Sequence, residues 1–416
     1  MAVSSVSEAA SRRVRPRCSA PVAESVAPLV VVLAGNVVTS IIVLSLLNTA
    51  DTCALRRLHP AVPGVVAGVP WADVETPVFD VVRWRTVLPA AVSALVVRLP
   101  QLPPLWPAAE AALAGVTNMV LRARDKYETT AALARLPPSL RVLRVHGFLA
   151  TPPRSDRGFT QLTSLLSLEC DDMGAHVRRL PPSLRELRLA YCDLPPKADF
   201  RHLASLRVLS CATGRMSSTV VANLPPSLEE LDVGMTDWPR GTAGVSVSLA
   251  HLRRLRVLRS EFSDVINTDT VASLRRRLSE LVVPWCKTRL SFARSRALQT
   301  LNIHGSKCDD ASLASLPPTL VTLDASSCKD LTPAAVLPYL PALMSVNLSG
   351  TSIGDALVAS LPLSLVTLKI ISCHRVTGAA TLDHLPALRE LHFAHTYLSA
   401  VAIAACRARG CVTHGA

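Results

Sequence analysis

The residues of this chain best suited to chemistry are its thiols and imidazoles, and their spacing decides what they can do. There are eleven Cys and eleven His in 416 residues. No two Cys form a Cys-x-x-Cys pair, and the spacings of a structural zinc site are absent. His392 and His395 stand too close for a helical i, i+4 metal pair. The paired carboxylates Asp171–Asp172 and Asp309–Asp310 sit where turns are expected, and Asp is an ordinary turn former. Acid–base work needs carboxylates that converge from different elements. A phosphate-cradling Gly-rich loop, a Gly-x-Ser-x-Gly elbow and a His-Glu-x-x-His helix are all missing. The expectation is a protein without catalytic residues, metal or cofactor.

Most of the thiols have another explanation, and it lies in the elements that hold them. Apolar residues make up 49% of the chain, aromatics 4% and charged residues 18%. The core is therefore built from Leu, Val and Ala. Such a composition excludes wholesale disorder and argues against nucleic-acid binding by aromatic stacking. The net charge is +13, almost all from Arg, and points only weakly to acidic partners.

Self-similarity fixes the architecture. LPPSLRVLRV starts at Leu136, LPPSLRELRL at Leu180, LPPSLEELDV at Leu224, LPPTLVTLDA at Leu316 and LPLSLVTLKI at Leu361. Variants without the double proline lie between them, as at His202, His251, Leu340 and Leu385. The first core Leu recurs from Leu140 to Leu388 with a mean spacing of about 22.5 residues. Weaker copies at Val92 and Val116 bring the number to about fourteen. In Leu-x-x-Leu-x-Leu the last two apolar residues alternate inward on a short strand. One copy cannot bury its apolar face, so copies stack into a solenoid. The rest of each copy returns as a short helix, for example AAVLPYL or DALVASL, and Leu-Pro-Pro ends it. The two types of copy alternate with a superperiod near 45 residues.

Over residues 90–410 this pattern resembles leucine-rich repeats of the cysteine-containing type. That family carries Cys or Asn five positions after the second core Leu. Here the slot holds Cys192, Thr236, Cys286, Cys328, Thr351, Cys373 and Thr396. The resemblance implies an α/β solenoid and, by analogy, partner binding. Cys170 and Cys211 take inward strand positions. The thiols are thus expected as small buried hydrophobes in a reducing compartment, cytoplasmic or nuclear. Cys406 and Cys411 suit either a disulfide cap or two thiols of a last helix and tail.

The N-terminal part carries several readings. Residues 1–26 are Ser, Ala and Arg rich and are expected to be disordered. No charge lies between Glu24 and Asp51, and residues 28–48 are long enough to anchor in a membrane. The same region resembles an F-box over 27–85. There Ile41, Leu44, Leu47 and Leu55 would bind an adaptor, and Trp71 would close the motif. The usual Leu-Pro opening and acidic first helix are missing. A plain helical cap over the first repeat is the third reading. The solenoid is placed at 86–410, with a tail at 411–416.

The outward strand position between the last two core residues gives one row: Arg144, Glu169, Arg188, Ser210, Asp232, Arg259, Val282, Asn302, Asp324, Asn347, Lys369 and His392. Mixed and polar, it suits a protein or peptide partner on the concave face. A second candidate surface is the basic edge of Arg253, Arg254, Arg256, Arg276 and Arg277, within a stretch of net +7 from Arg253 to Arg296. It suits an acidic partner, with RNA phosphate a lesser alternative. The expected function is non-catalytic protein recognition. Its F-box version is a substrate receptor of a ubiquitin ligase. The alternatives are a membrane-anchored recognition protein and a plain scaffold.

Overall fold

The computed structural model describes residues 77–96, 106–122, 133, 135–148, 158–172, 174–195, 197–233, 235–236, 248–261, 266–274 and 277–415. The expected basic N-terminus (1–26), the anchor stretch (28–48), most of the F-box-like segment with Ile41, Leu44, Leu47 and Leu55, and Arg276 lie outside these residues.

Seventeen short strands form one sheet. They are β1 (Pro77–Val78), β2 (Ser93–Val96), β3 (Asn118–Arg122), β4 (Val142–Phe148), β5 (Ser167–Asp172), β6 (Glu186–Asp193), β7 (Val208–Arg215), β8 (Glu230–Asp232) and β9 (Met235–Thr236). There follow β10 (Val257–Arg259), β11 (Glu280–Val282), β12 (Thr300–Asn302), β13 (Thr322–Asp324), β14 (Ser345–Asn347), β15 (Thr367–Lys369), β16 (Glu390–His392) and β17 (Val412–His414). Pairing is parallel throughout and follows chain order, except that β8 and β9 both pair with β7 and the ladder continues from β8 to β10. This is a leucine-rich-repeat solenoid. The copies read from the sequence between Val92 and Leu388 each supply a strand. The expected tail is not bare, because its residues Val412–His414 form β17 and continue the sheet. The sheet also starts at Pro77, inside the segment 27–85.

The strands from β8 to β16, the two-residue β9 aside, alternate by burial. Leu231, Leu258, Leu281, Leu301, Leu323, Val346, Leu368 and Leu391 are buried between half-buried neighbours. Together with the first core Leu of each copy they form one continuous core from Val78 to Cys411. Parallel strands need a crossover, and the repeat supplies it in about twenty residues.

The Leu-Pro-Pro-Ser element does more than end the return segment. The first proline's carbonyl accepts from the core Leu amide three residues on, as Pro181 from Leu184 and Pro317 from Leu320. This tight turn aims the Ser or Thr hydroxyl at the preceding copy. Ser139 donates to the Val116 carbonyl, Ser183 to Leu165, Ser227 to Leu206, Thr319 to Leu298 and Ser364 to Leu343, all at 2.7–2.8 Å. The motif is therefore a stitch between neighbouring copies.

The superperiod also has a physical form. Helices α1 (Val81–Val87) and α2 (Trp106–Leu113) lie at the start, and α3 (Ser218–Ala222), α4 (Thr268–Ser273), α5 (Asp310–Ala314), α6 (Asp355–Ala359) and α7 (Ala400–Ala408) follow. From α3 to α6 they occur in alternate copies. The expected helix in AAVLPYL is not there; residues 335–340 run without regular structure. Pro338 has no N–H to donate and holds Leu337 extended, so helix cannot form. DALVASL does form its helix, α6.

Candidate functional site

The strand ladder sets the geometry of the candidate surface. Register places Arg144 opposite Glu169, then Arg188, Ser210, Asp232, Arg259, Val282, Asn302, Asp324, Asn347, Lys369 and His392. The row is unbroken on adjacent strands and gains His414 on β17. In this fold the strands line the horseshoe.

Several charges of the row are paired, Arg144 within it and Arg188 and Arg259 with glutamates beside it, which sequence could not show. Arg144 meets Glu169 at 3.1 Å, Arg188 meets Glu186 at 2.6 Å and Arg259 meets Glu280 at 2.6 Å. Ser210 donates to Asp232 at 3.3 Å. The Asn347 amide donates to Asp324 at 3.1 Å. Exposed pairs of this kind add about 0–1 kcal/mol each. Their larger effect is to hold long side chains in fixed positions with their charges offset.

After each strand from β11 to β16 the chain turns through a left-handed residue. Trp285, Gly305, Ser327, Gly350, Ser372 and His395 have φ between 57° and 69° and occupy equivalent places. The buried slot residue comes next. The Cys328 thiol donates to the Ile303 carbonyl at 3.3 Å, Cys373 to Leu348 at 3.1 Å and the Thr351 hydroxyl to Leu348 at 2.6 Å. Ser306 fills the slot missed by the sequence reading; it donates to Val283 O and accepts from Cys286 N, both at 2.9 Å. Cys170, Cys211, Cys286, Cys308, Cys328, Cys373, Cys406 and Cys411 are all buried free thiols. The Cys406–Cys411 disulfide is therefore not formed. Burial pushes the Cys373, Cys406 and Cys411 thiols up, so they stay protonated near neutral pH.

His304, Ser326 and Asp324 bring the three residue types of a nucleophilic triad together, in the wrong order. His304 Nδ1 lies 2.7 Å from Ser326 Oγ, and Ser326 donates its proton to Asp324. The serine sits between the other two, so the imidazole donates to it and cannot act as its base. A working triad places the imidazole in the middle. Ser326 is also buried. Trp285 stacks edge-on against His304, with centroids 5.0 Å apart, and stays 43% exposed beside the strand row. Its ring covers Gly305, where an added Cβ would come within 2.4 Å of it. Asp309 caps α5 through Ser312 N, and Asp310 reaches the Thr332 amide of the next copy. Asp171 lies on β5 rather than in a turn.

Around the basic edge some arginines of the same stretch are already paired. Arg259 is committed to Glu280, and Arg289 lies 3.4 Å from Asp309. Arg253, Arg254, Arg256 and Arg277 are exposed. Arg253 and Arg277 line a cleft of about 520 Å³ with Leu252, Leu274 and Ser273. Among the described residues no helix is long and apolar enough to cross a membrane.

The sheet defines the fold class, a leucine-rich-repeat solenoid. Comparison with solved structures agrees at the level of fold. A leucine-rich-repeat protein of Leptospira interrogans is 17% identical with a TM-score of 0.53, covering 79% of this chain and 90% of that one. A chain from the structure of the Drosophila Toll–Spatzle complex is 17% identical with a TM-score of 0.53, over 76% of this chain and 45% of that one. This chain thus spans less than half the length of that one. No protein-family model matches the sequence, and no curated protein matches it.

Proposed function

We propose that this protein recognises a protein or peptide partner along its strand face and does no catalysis. One observation carries the reading: an in-register row of side chains, polar at every position but Val282, runs across thirteen strands from Arg144 to His414. A solenoid offers such a surface by stacking, without a pocket. A chain of this fold is part of the Toll–Spatzle complex. The test is quantitative partner capture by the full chain. Lys369→Glu combined with Asn347→Ala should lower recovery of specific partners at least about tenfold, the scale of a 1.4 kcal/mol loss. Tyr339→Ala, at an exposed site on a return segment, should leave it unchanged. Equal recovery by all three chains refutes the reading.

A finer version makes the protein an intracellular substrate receptor of a ubiquitin ligase, with residues 27–85 docking an F-box adaptor. Its support is the sequence resemblance. Adaptor capture that fails on Leu47→Asp or Leu55→Asp supports it, and failure of the intact chain to bind adaptor excludes it. The rival, an anchor at 28–48 with the repeats outside the cytosol, predicts that the full chain resists an alkaline wash of membranes while a chain from Asp51 does not.

A second surface has its own observation. The cleft between Arg253 and Arg277 suits an acidic peptide segment. Arg253→Glu with Arg277→Glu should remove any salt-sensitive partner, since rim charges act through steering. Arg259 is a poor probe, because reversing it also breaks its pair with Glu280.

A further inference from the structure

We propose that Glu390, His392 and His414 form a three-ligand site for a divalent transition-metal ion, zinc by its donor set. The site would clip β17 onto the sheet. Nothing in the partner-binding reading requires it, and it stands independently.

The placement follows from strand geometry. Glu390 and His392 are two apart on β16 and flank buried Leu391, so both side chains leave the same face. Register puts His414 of β17 directly opposite His392. The two imidazole rings stack, with centroids 4.3 Å apart and planes at 18°. Both turn Nε2 toward one carboxylate oxygen, Glu390 Oε1, at 2.7 Å from His392 and 3.8 Å from His414. One ligand atom from each residue lies within 4.8 Å of the others.

These distances suit a shared ion. Zinc–nitrogen and zinc–carboxylate bonds are about 2.0–2.2 Å, so tetrahedral ligand atoms sit about 3–4 Å apart. The observed separations straddle that range, and small side-chain rotations close the rest. Two imidazoles and one carboxylate favour zinc, copper or nickel over the hard ions calcium and magnesium. Three protein ligands leave a position open, and His414 is exposed, so an ion can enter from solvent. Equivalent positions on the preceding strands hold Thr367 with Lys369, Ser345 with Asn347 and Thr322 with Asp324. The clustering is therefore particular to this end of the described sheet and is not demanded by the repeat. Lys369, opposite His392, carries a positive charge that acts on Glu390 and disfavours a cation without occupying the site.

In sequence His392 has His395 as its near neighbour, too close for a helical metal pair. The turn instead sends His395 away, exposed and left-handed, and the ladder delivers His414 from 22 residues on.

The test uses the full chain freed of metal by chelation, titrated with Zn²⁺ by calorimetry and with Co²⁺ by absorption. The proposal expects one Zn²⁺ per chain at this site and a Co²⁺ spectrum free of thiolate charge-transfer bands. Losing an outer partner of a metal ligand costs about 10–100-fold in affinity. His392→Ala, His414→Ala and Glu390→Gln, which remove ligands themselves, should each cost at least about tenfold. His374→Ala, at an exposed position off the cluster, should cost nothing. His414→Ala removes no core contact, so its loss of binding is not an unfolding effect. Saturation with Zn²⁺ should also slow amide exchange of Val412–His414 in the native chain alone. No binding, equal binding by all variants, or thiolate bands with Co²⁺ overturns the proposal.

Discussion

The repeat's small polar residues act as fasteners, and each can be tested singly. Thr351 is buried, and its hydroxyl donates to the Leu348 carbonyl. Thr351→Val keeps the shape and removes the donor. Chemical denaturation should show a loss of about 1 kcal/mol, the usual net value of one hydrogen bond. Ser183→Ala should behave alike by cutting the stitch to Leu165. The buried thiols give a chemical readout: the eight cysteines shown as buried should resist alkylation in the folded chain and react at once in denaturant. One carboxylate gives a pH readout. Its hydrogen bond from Arg201 holds Asp199 down at about 2, against about 3.9 in an unfolded chain. The depressed carboxylate stabilises the fold above pH about 4, and that contribution fades as pH falls toward about 2. Carboxyl NMR titration should find this low value, and an Asp199 titration near 4 would contradict the pairing. The burial of Cys286, Cys328 and Cys373 was legible from the slot spacing and that of Cys170 and Cys211 from their inward strand positions, whereas Cys308 carries no such signal. Ser306 was not legible either, because its copy lacks the Cys that marks the slot.

At the scale of elements, strands were easier to read than return segments. A strand follows from Leu-x-x-Leu-x-Leu, since period-two burial leaves little choice. A return helix depends on caps and on where proline falls. The Asn267 and Asp309 side chains cap α4 and α5 through the amides of Thr270 and Ser312. AAVLPYL has the composition of a helix but carries Pro338 and stays irregular. Helix-bearing copies are tied to the next by an acidic clasp: Asp310 to Thr332 and Asp355 to Thr377. The clasps recur 45 residues apart, which gives the superperiod its structural meaning. Gly354 shows a limit on that scheme. It begins α6 without a side-chain cap, and a Cβ there would stand 2.8 Å from the Pro333 carbonyl. Gly354→Ala should therefore destabilise by about 1–3 kcal/mol, the scale of an overpacked site, whereas an ordinary cap exchange costs about 1 kcal/mol. Leu368→Ala, in a fully buried strand centre, should cost about 2–5 kcal/mol.

At the scale of the whole molecule, stacking turns a local pattern into a long surface. The outward row was legible because register in a parallel ladder of equal copies is forced by the buried leucines. Its internal pairing was not legible, because Arg144–Glu169 and Arg259–Glu280 depend on rotamers and not on spacing. The Glu390–His392–His414 cluster was hidden for a related reason: β17 lacks the leucine signature and looks like a tail. The most direct test of the central claim is site-specific photo-crosslinking in cells. A photoreactive residue at Asn302 or Asn347, on the strand row, is compared with one at Val336 or Tyr339, on an exposed return segment. Recognition along the strand face predicts one partner crosslinked from both row positions and from neither return position. Crosslinks to that partner from the return segment alone would contradict it.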